Sequence, residues 1–253
     1  MLRVIMVLLI FSYSLCVQSQ SLTYLAISTQ AEPFQIIDQA HKGIVTDILE
    51  QAITDLDISV TEQAYPFMRY IRMMQSDKTP LWISYGSPAW QGDSEVNIQS
   101  RHLSKENLFN VSHVLVVKAQ RPINLYSIEA LFGKTVITLN GFNYPGLDEY
   151  FASGEITKVE VKSHESALKA VENSRGVAFI AMKTRALYTI NKAKLDRNDF
   201  TFLDFSSIIP PYPIHFSYSE LVAEETKQQI DQAISALKYS GEINKIIDFY
   251  QGN

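Results

Sequence analysis

The chain has 253 residues, 46% of them hydrophobic, with 22 basic against 27 acidic side chains. That composition excludes a disordered polypeptide and is large enough for one big core or two lobes of about 100 residues each. A formal charge of −5 leaves no basic excess to neutralise phosphates, which argues against nucleic acid as a partner.

Arg3 precedes the apolar run Val4 to Leu15, and Val17-Gln18-Ser19 follows with the small-residue pattern a signal peptidase accepts. Residues 1–19 are therefore read as a signal peptide, the mature chain is expected to begin near Gln20, and the compartment to be the periplasm. The apolar stretch is short for a bilayer span, and no second one of that character follows. A lipidated Cys16 would be preceded by a small residue, where this chain has Leu15, so Cys16 is expected to leave with the signal. Neither a disulfide framework nor a thiolate metal site then remains.

Leu22 to Ser28 reads as a short apolar strand. After Gly43, Val45, Ile48, Leu49, Ala52, Ile53 and Leu56 recur at helical spacing. A β-rich run, Ile58 to Ala64, precedes a helix opening at Pro66 and running towards Gln75, and Leu81 to Tyr85 is apolar again. This β-α-β-α-β alternation predicts an α/β sheet with covered faces. Residues 87–110 break the rhythm with Pro88, Gly92 and many polar side chains and are expected to make a surface excursion. It returns into Val111 to Val117, the longest β-branched run of the chain.

Alternation resumes at Ser127: a short helix to Phe132, strand Lys134 to Leu139, a loop through Gly141 and Pro145, a helix over Leu147 to Ala152, and strand Thr157 to Val161. Ser163 is positioned to cap a helix His164 to Glu172, with Gly176 to Ile180 as the next strand. After strand Thr201 to Phe205, Pro210-Pro211-Tyr212-Pro213 blocks a helix and leads into strand Ile214 to Tyr218. Two helices close the chain, one carrying Ile230, Ala233, Ile234 and Leu237 and stopped at Ser240-Gly241, the other carrying Ile243, Ile246, Ile247 and Tyr250.

Signals for catalysis are missing. His41, His102, His113, His164 and His215 include no i, i+4 pair of the kind that makes a helical zinc site. Gly133-Lys134-Thr135 resembles the end of a phosphate loop, but Ile128 stands where the first glycine belongs. No G-x-S-x-G elbow surrounds a serine. Asp47 and Glu50 sit at helical spacing, which a solvated helix face explains. The expectation is a protein without enzymatic activity, cofactor or metal.

Tyr65, Phe67, Tyr85, Trp90, Phe142 and Tyr144 fall at strand ends and loops, where open α/β sheets bind ligands; core packing or plain exposure would also account for each. Arg69 opens a helix straight after a strand. It reads equally as a bidentate clamp for a carboxylate and as one half of an internal ion pair.

The order of these elements, with several local strings, resembles the family 3 extracellular solute-binding proteins, the periplasmic components of polar amino-acid transporters. Glu32-Pro33-Phe34 looks like that family's first ligand loop, and Gly43 to Asp47 like its Gly-Phe-Asp helix start. Val114 to Lys118 is similar to the strand leaving the first lobe, and Leu131 to Ile137 to the L-x-G-K-x-V-x-V entry of the second. Ser240 to Ile243 with Ile246 to Tyr250 resembles the closing helices. The resemblance covers most of the mature chain.

It implies an α/β, two-lobed periplasmic-binding-protein-like (type II) fold with two hinge crossings, near Val116 and His215. Lobe 1 is expected at 20–115 plus 216–253 and lobe 2 at 116–215. Phe67 falls where an aromatic ring stacks on ligand, Tyr85 to Ser87 on the carboxylate-binding loop, and Asn140, Gly141 and Phe142 on the loop opposite. Two departures bear on the ligand. Gly92 and its neighbours replace the carboxylate-clamping arginine, with Arg101 distant in sequence, and Ala181 and Met182 replace the aspartate that holds an α-ammonium.

The candidate ligand residues are thus Glu32, Phe34, Phe67, Arg69, Tyr85, Ser87, Asn140, Phe142 and Lys183, with Arg69, Glu32 or Lys183 as substitute charge partners. The leading expectation is a monomeric binding protein for a small polar organic solute, amino-acid-like or a carboxylate, serving an inner-membrane ABC permease or a sensor. A periplasmic dehydratase on the same scaffold is the first alternative. A sensory or interaction module without a small-molecule ligand is the second.

Overall fold

The computed structural model describes residues 20–37, 39–92, 97–142, 144 and 146–252. The signal segment, Cys16 and Pro145 lie outside the described residues. Two five-stranded mixed sheets organise the chain. The first comprises β1 (Gln20–Ile27), β2 (Ile58–Tyr65), β3 (Trp82–Gly86), β4 (Leu103–Val111) and, from far along the chain, β10 (Tyr212–Tyr218), in the order β2-β1-β3-β10-β4. The second comprises β5 (His113–Lys118), β6 (Thr135–Leu139), β7 (Thr157–Val161), β8 (Ala178–Met182) and β9 (Phe200–Asp204), in the order β7-β6-β8-β5-β9. In each sheet three strands run parallel, and one antiparallel strand joins them to the edge.

Helices cover these sheets as the apolar spacing predicts. In α1 (Ile44–Ile53) Ile44, Val45, Ile48, Leu49 and Ala52 are buried, and the first four join α6 (Glu224–Ser240) and α7 (Glu242–Gln251) in the core of the first sheet. Each fully buried aliphatic side chain there is worth about 1.5–3 kcal/mol. Further helices are α2 (Phe67–Met74), α3 (Asp148–Ser153), α4 (His164–Glu172) and α5 (Lys183–Lys192). Ser163 caps α4 as expected, its hydroxyl accepting from the Ser166 N–H at 3.1 Å.

Three features depart from the sequence reading. The stretch expected as a surface excursion contains the nine-residue strand β4, which pairs with β10. Its polar side chains suit an edge strand with solvent on one side. The β-branched run is broken at Ser112: Val111 ends β4 and His113 opens β5 in the other sheet. Sheet membership thus changes at Ser112 and again between Asp204 and Tyr212. Finally, Lys183–Lys192 is a helix that follows β8 with no linker, in a segment to which the sequence reading gave no element. Pro213, inside β10, is opposite Asn110 beside a register shift, a position where a missing N–H is tolerated.

Candidate functional site

The side chains of interest gather where the two halves meet. In the first sheet, the chain after β1 turns through Ala31 to Ile36 and is fastened by Gln35. The Gln35 carboxamide accepts from the Ile27 N–H at 2.9 Å and donates to the Tyr24 hydroxyl at 2.8 Å. Gly43 sits against this turn at φ 102°, and a Cβ there would lie 2.6 Å from the Phe34 carbonyl oxygen. The end of β3 is fixed in the same manner. Gln99 donates to the Tyr70 hydroxyl at 2.7 Å and to the Tyr85 carbonyl at 3.0 Å. Gly86 packs so closely that a Cβ would be 1.7 Å from the Gln99 oxygen.

These two fastened segments present a run of rings. Phe34, buried, lies 5.5 Å from Phe109 and 6.1 Å from Tyr85; Tyr85 meets Trp90 edge-on at 5.9 Å; Trp90 meets Tyr212 at 6.4 Å. Tyr212 in turn lies 6.0 Å from His113 of the second sheet. Such offset and edge-to-face pairs are the favoured aromatic geometry.

The second sheet answers with α5, whose first turn leaves the carboxyl end of β8, a central strand and so the usual ligand-side position of an open α/β sheet. Ala186 and Ile190 anchor α5 in its own core. The neighbouring stripe, Thr184, Arg185, Tyr188, Asn191 and Lys192, reaches the other half. Arg185 Nη1 donates to the Gln30 carbonyl at 2.6 Å, with the guanidinium 4.9 Å from the Phe34 ring centre. Asn191 donates to the Gln251 carbonyl at 2.7 Å, Tyr188 packs 6.3 Å from Tyr250, and Lys192 pairs with Glu32.

Arg185 is only 7% exposed, and its Nε has no hydrogen-bond partner. None of the seven ion pairs among the described residues includes it. Its charge is felt by neighbouring groups. Burial first, then the Arg185 charge, lowers His113 to about 4 and His164 to about 3, so both imidazoles are neutral near pH 7. Burial raises the Tyr85 phenol, an effect the guanidinium partly offsets. A histidine at about 4 is a base poorly matched to neutral pH, whereas a buried guanidinium among rings is suited to holding an anion.

The expected site residues separate into groups. Phe34 and Tyr85 join this cluster directly, and Glu32 stands at its rim, neutralised by Lys192. Ser87 is buried, but its hydroxyl accepts from the Ala89 N–H at 3.2 Å. Phe67 stacks on Tyr70 at 6.4 Å. Arg69 is exposed with its guanidinium 4.7 Å from the Tyr65 ring centre, and none of the ion pairs among the described residues includes it. Asn140 and Phe142 are exposed on the loop after β6. Lys183 donates its backbone N–H to the Ser112 carbonyl at the crossing, 2.9 Å away. Arg185 and Tyr212 were not among the expected residues. A surface cavity of about 420 Å³ between α1 and α7 shares none of the cluster.

No family model matches the sequence, and no curated protein matches it. Solved structures do. A reconstructed ancestral cationic amino acid solute-binding protein superposes with a TM-score of 0.68 at 15% identity, over 91% of this chain and 95% of the other. The fold is that of a type II periplasmic binding protein. A GluR0 ligand-binding core from Nostoc punctiforme in complex with glutamate gives 0.61 at 18% identity, over 91% and 98% of the two chains. A histidine kinase sensor domain with similarity to periplasmic binding proteins gives 0.64 at 13%, over 92% and 96%. Among the described residues no helix is long and apolar enough to cross a membrane, and no group of His, Cys, Asp and Glu could hold a metal ion.

Proposed function

We propose that the chain is an exported solute-binding protein that closes two lobes on a small polar organic solute and presents the loaded form to a transporter or a sensor. The lobes are taken as residues 20–112 with 212–252, and residues 113–204, each around one sheet. The observation that carries the reading is the junction itself. An aromatic wall from the strand ends of one sheet faces a buried guanidinium from a strand end of the other, and two chain crossings connect the halves. A junction of that kind suits ligand-driven closure about a hinge. The fold neighbours support it, since their names are those of binding proteins and of a sensor domain.

A thermal-shift panel of amino acids, polyamines, dicarboxylates, short peptides and aromatic acids tests this reading. A ligand at 100 times its dissociation constant stabilises the folded state by about 2.7 kcal/mol. One chemical class should raise the melting temperature and be recovered unchanged. A panel with no shift would count against solute binding, and conversion of the compound would replace a binder with an enzyme.

A further inference from the structure

The charge around the junction points to the class of solute. A guanidinium stays protonated at any physiological pH and carries five N–H donors in a planar fork. At Arg185, among the described residues, the bond from Nη1 to the Gln30 carbonyl is the one hydrogen bond the group makes. Removing a charge from water without a counter-charge is costly, and buried polar groups left unpaired in a folded protein mark places where something else is expected to bind.

The neighbours supply no counter-charge. Glu32, the carboxylate of the first ligand loop, is held by Lys192. Lys183 and Lys192 on the same helix as Arg185 are basic. His113 and His164 are neutral, Phe34 lies against the guanidinium, Tyr85 and Tyr212 are near enough to feel its charge, and Trp90 packs on both of those tyrosines. At the end of β8, buried Ala181 and partly buried Met182 carry no charge either. An ammonium placed beside Arg185 would meet a like charge, with the Glu32 carboxylate already paired to Lys192.

We propose, on the basis of the solute-binding reading, that the junction takes an organic carboxylate without an ammonium group, its carboxylate on Arg185 and its flat apolar body against Phe34, Tyr85, Trp90 and Tyr212. The planar fork matches a carboxylate in bidentate fashion, and the wall of rings excludes water from the pair. Binding requires the Phe34 ring and the guanidinium to separate, because they lie 4.9 Å apart and both are buried.

Three compounds of one skeleton separate the charges: 3-phenylpropionate, phenylalanine and phenethylamine, titrated calorimetrically into the purified protein. The acid should bind, the zwitterion at least ten-fold more weakly, and the amine not at all. R185Q should lose the acid while keeping wild-type circular dichroism, and R185K should retain weakened binding. Phenylalanine or the amine binding as tightly as the acid overturns the carboxylate assignment and leaves the solute-binding reading standing. No binding of the acid, or of benzoate, phenylacetate and hexanoate beside it, also overturns the assignment. The solute-binding reading falls as well only if the wider thermal-shift panel is silent. The wild-type comparison of the three compounds decides the matter even if both arginine variants fail to fold.

Discussion

The two sheets share a strand pattern but treat their polar groups differently. Near the junction the first sheet ties several of its buried polar groups together. Gln35 joins Tyr24 to the Ile27 N–H, the Ser84 hydroxyl donates to the Leu25 carbonyl at 2.7 Å, and Gln99 joins Tyr70 to the Tyr85 carbonyl. Among the described residues the Ser217 and Tyr218 hydroxyls of β10 have no partner. The second half leaves His113 Nδ1, Thr138 Oγ1 and Arg185 Nε buried without partners. A fully bonded network makes a rigid wall, whereas unmet donors and acceptors mark the side that still has something to bind. Both halves leave some polar atoms unmet, but the first supplies the wall of rings and the second the buried unpaired charge.

The largest way to break that comparison is acid. Burial, and secondarily the Arg185 charge, lowers both His113 and His164 below the ordinary 6.5. Between pH 6.5 and these lowered values the unfolded chain binds protons that the folded chain refuses. The stability contributed by the neutral imidazoles is thus present above pH 6.5 and lost as pH falls through that window. For His113 the full loss is roughly 3 kcal/mol at 1.36 kcal/mol per pH unit. Urea unfolding at pH 7 and pH 4.5 should show wild type losing about 2 kcal/mol more than H113Q. Equal losses would mean that the imidazole is well solvated and that the second half is less desolvated than its unpaired atoms indicate.

Next in size is a matched pair of substitutions, one in each half. Q35L strips the Ile27 N–H and the Tyr24 hydroxyl of a partner in a buried setting and should cost about 2 kcal/mol. T138V removes a hydroxyl that has no partner and keeps the shape, so unfolding should be unchanged or slightly harder. A destabilisation of similar size in both variants would show that Thr138 is bonded in solution and would erase the contrast between the halves.

The alternation of strands and helices was legible in the sequence because apolar residues recur with period two or 3.6 and turns carry glycine and proline. Edge strand β4 was not, because Leu103 to Val111 alternates weakly and carries Lys105, Glu106, Asn107 and Asn110. Two residues of the ring cluster were named from the sequence by different routes: Tyr85 by its place at a strand end, and Phe34 only by the resemblance of Glu32-Pro33-Phe34 to a family loop. Arg69 drew attention by opening a helix after a strand. Yet Tyr70, Ile71 and Met74 are the residues α2 buries, which turns Arg69 to solvent. Arg185 carried the same positional signal after β8, and Ala186, Leu187 and Ile190 at helical spacing would have revealed α5. What no single sequence conveys is that the arginine beside that apolar stripe meets a ring from a segment some 150 residues earlier, because such contacts depend on how two separately built halves face each other.

The smallest effect concerns the rim. Lys192 and Glu32 pair across the two halves at 2.5 Å, but their side chains remain 50% and 37% exposed. An ion pair this wet contributes between zero and about 1 kcal/mol and weakens with salt. In a double-mutant cycle of E32Q and K192Q, the coupling measured by urea unfolding should stay below about 1 kcal/mol and shrink further in 0.5 M salt, on the order of a 4 Å screening length. Other cross-junction contacts, among them Arg185 with the Gln30 carbonyl, Asn191 with the Gln251 carbonyl and Tyr188 with Tyr250, involve neither side chain and keep the halves in register. A coupling above 2 kcal/mol would make Glu32 a structural clasp in a desolvated setting. Glu32 would then help hold the halves together as well as neutralise Lys192, and its removal should change how readily they part.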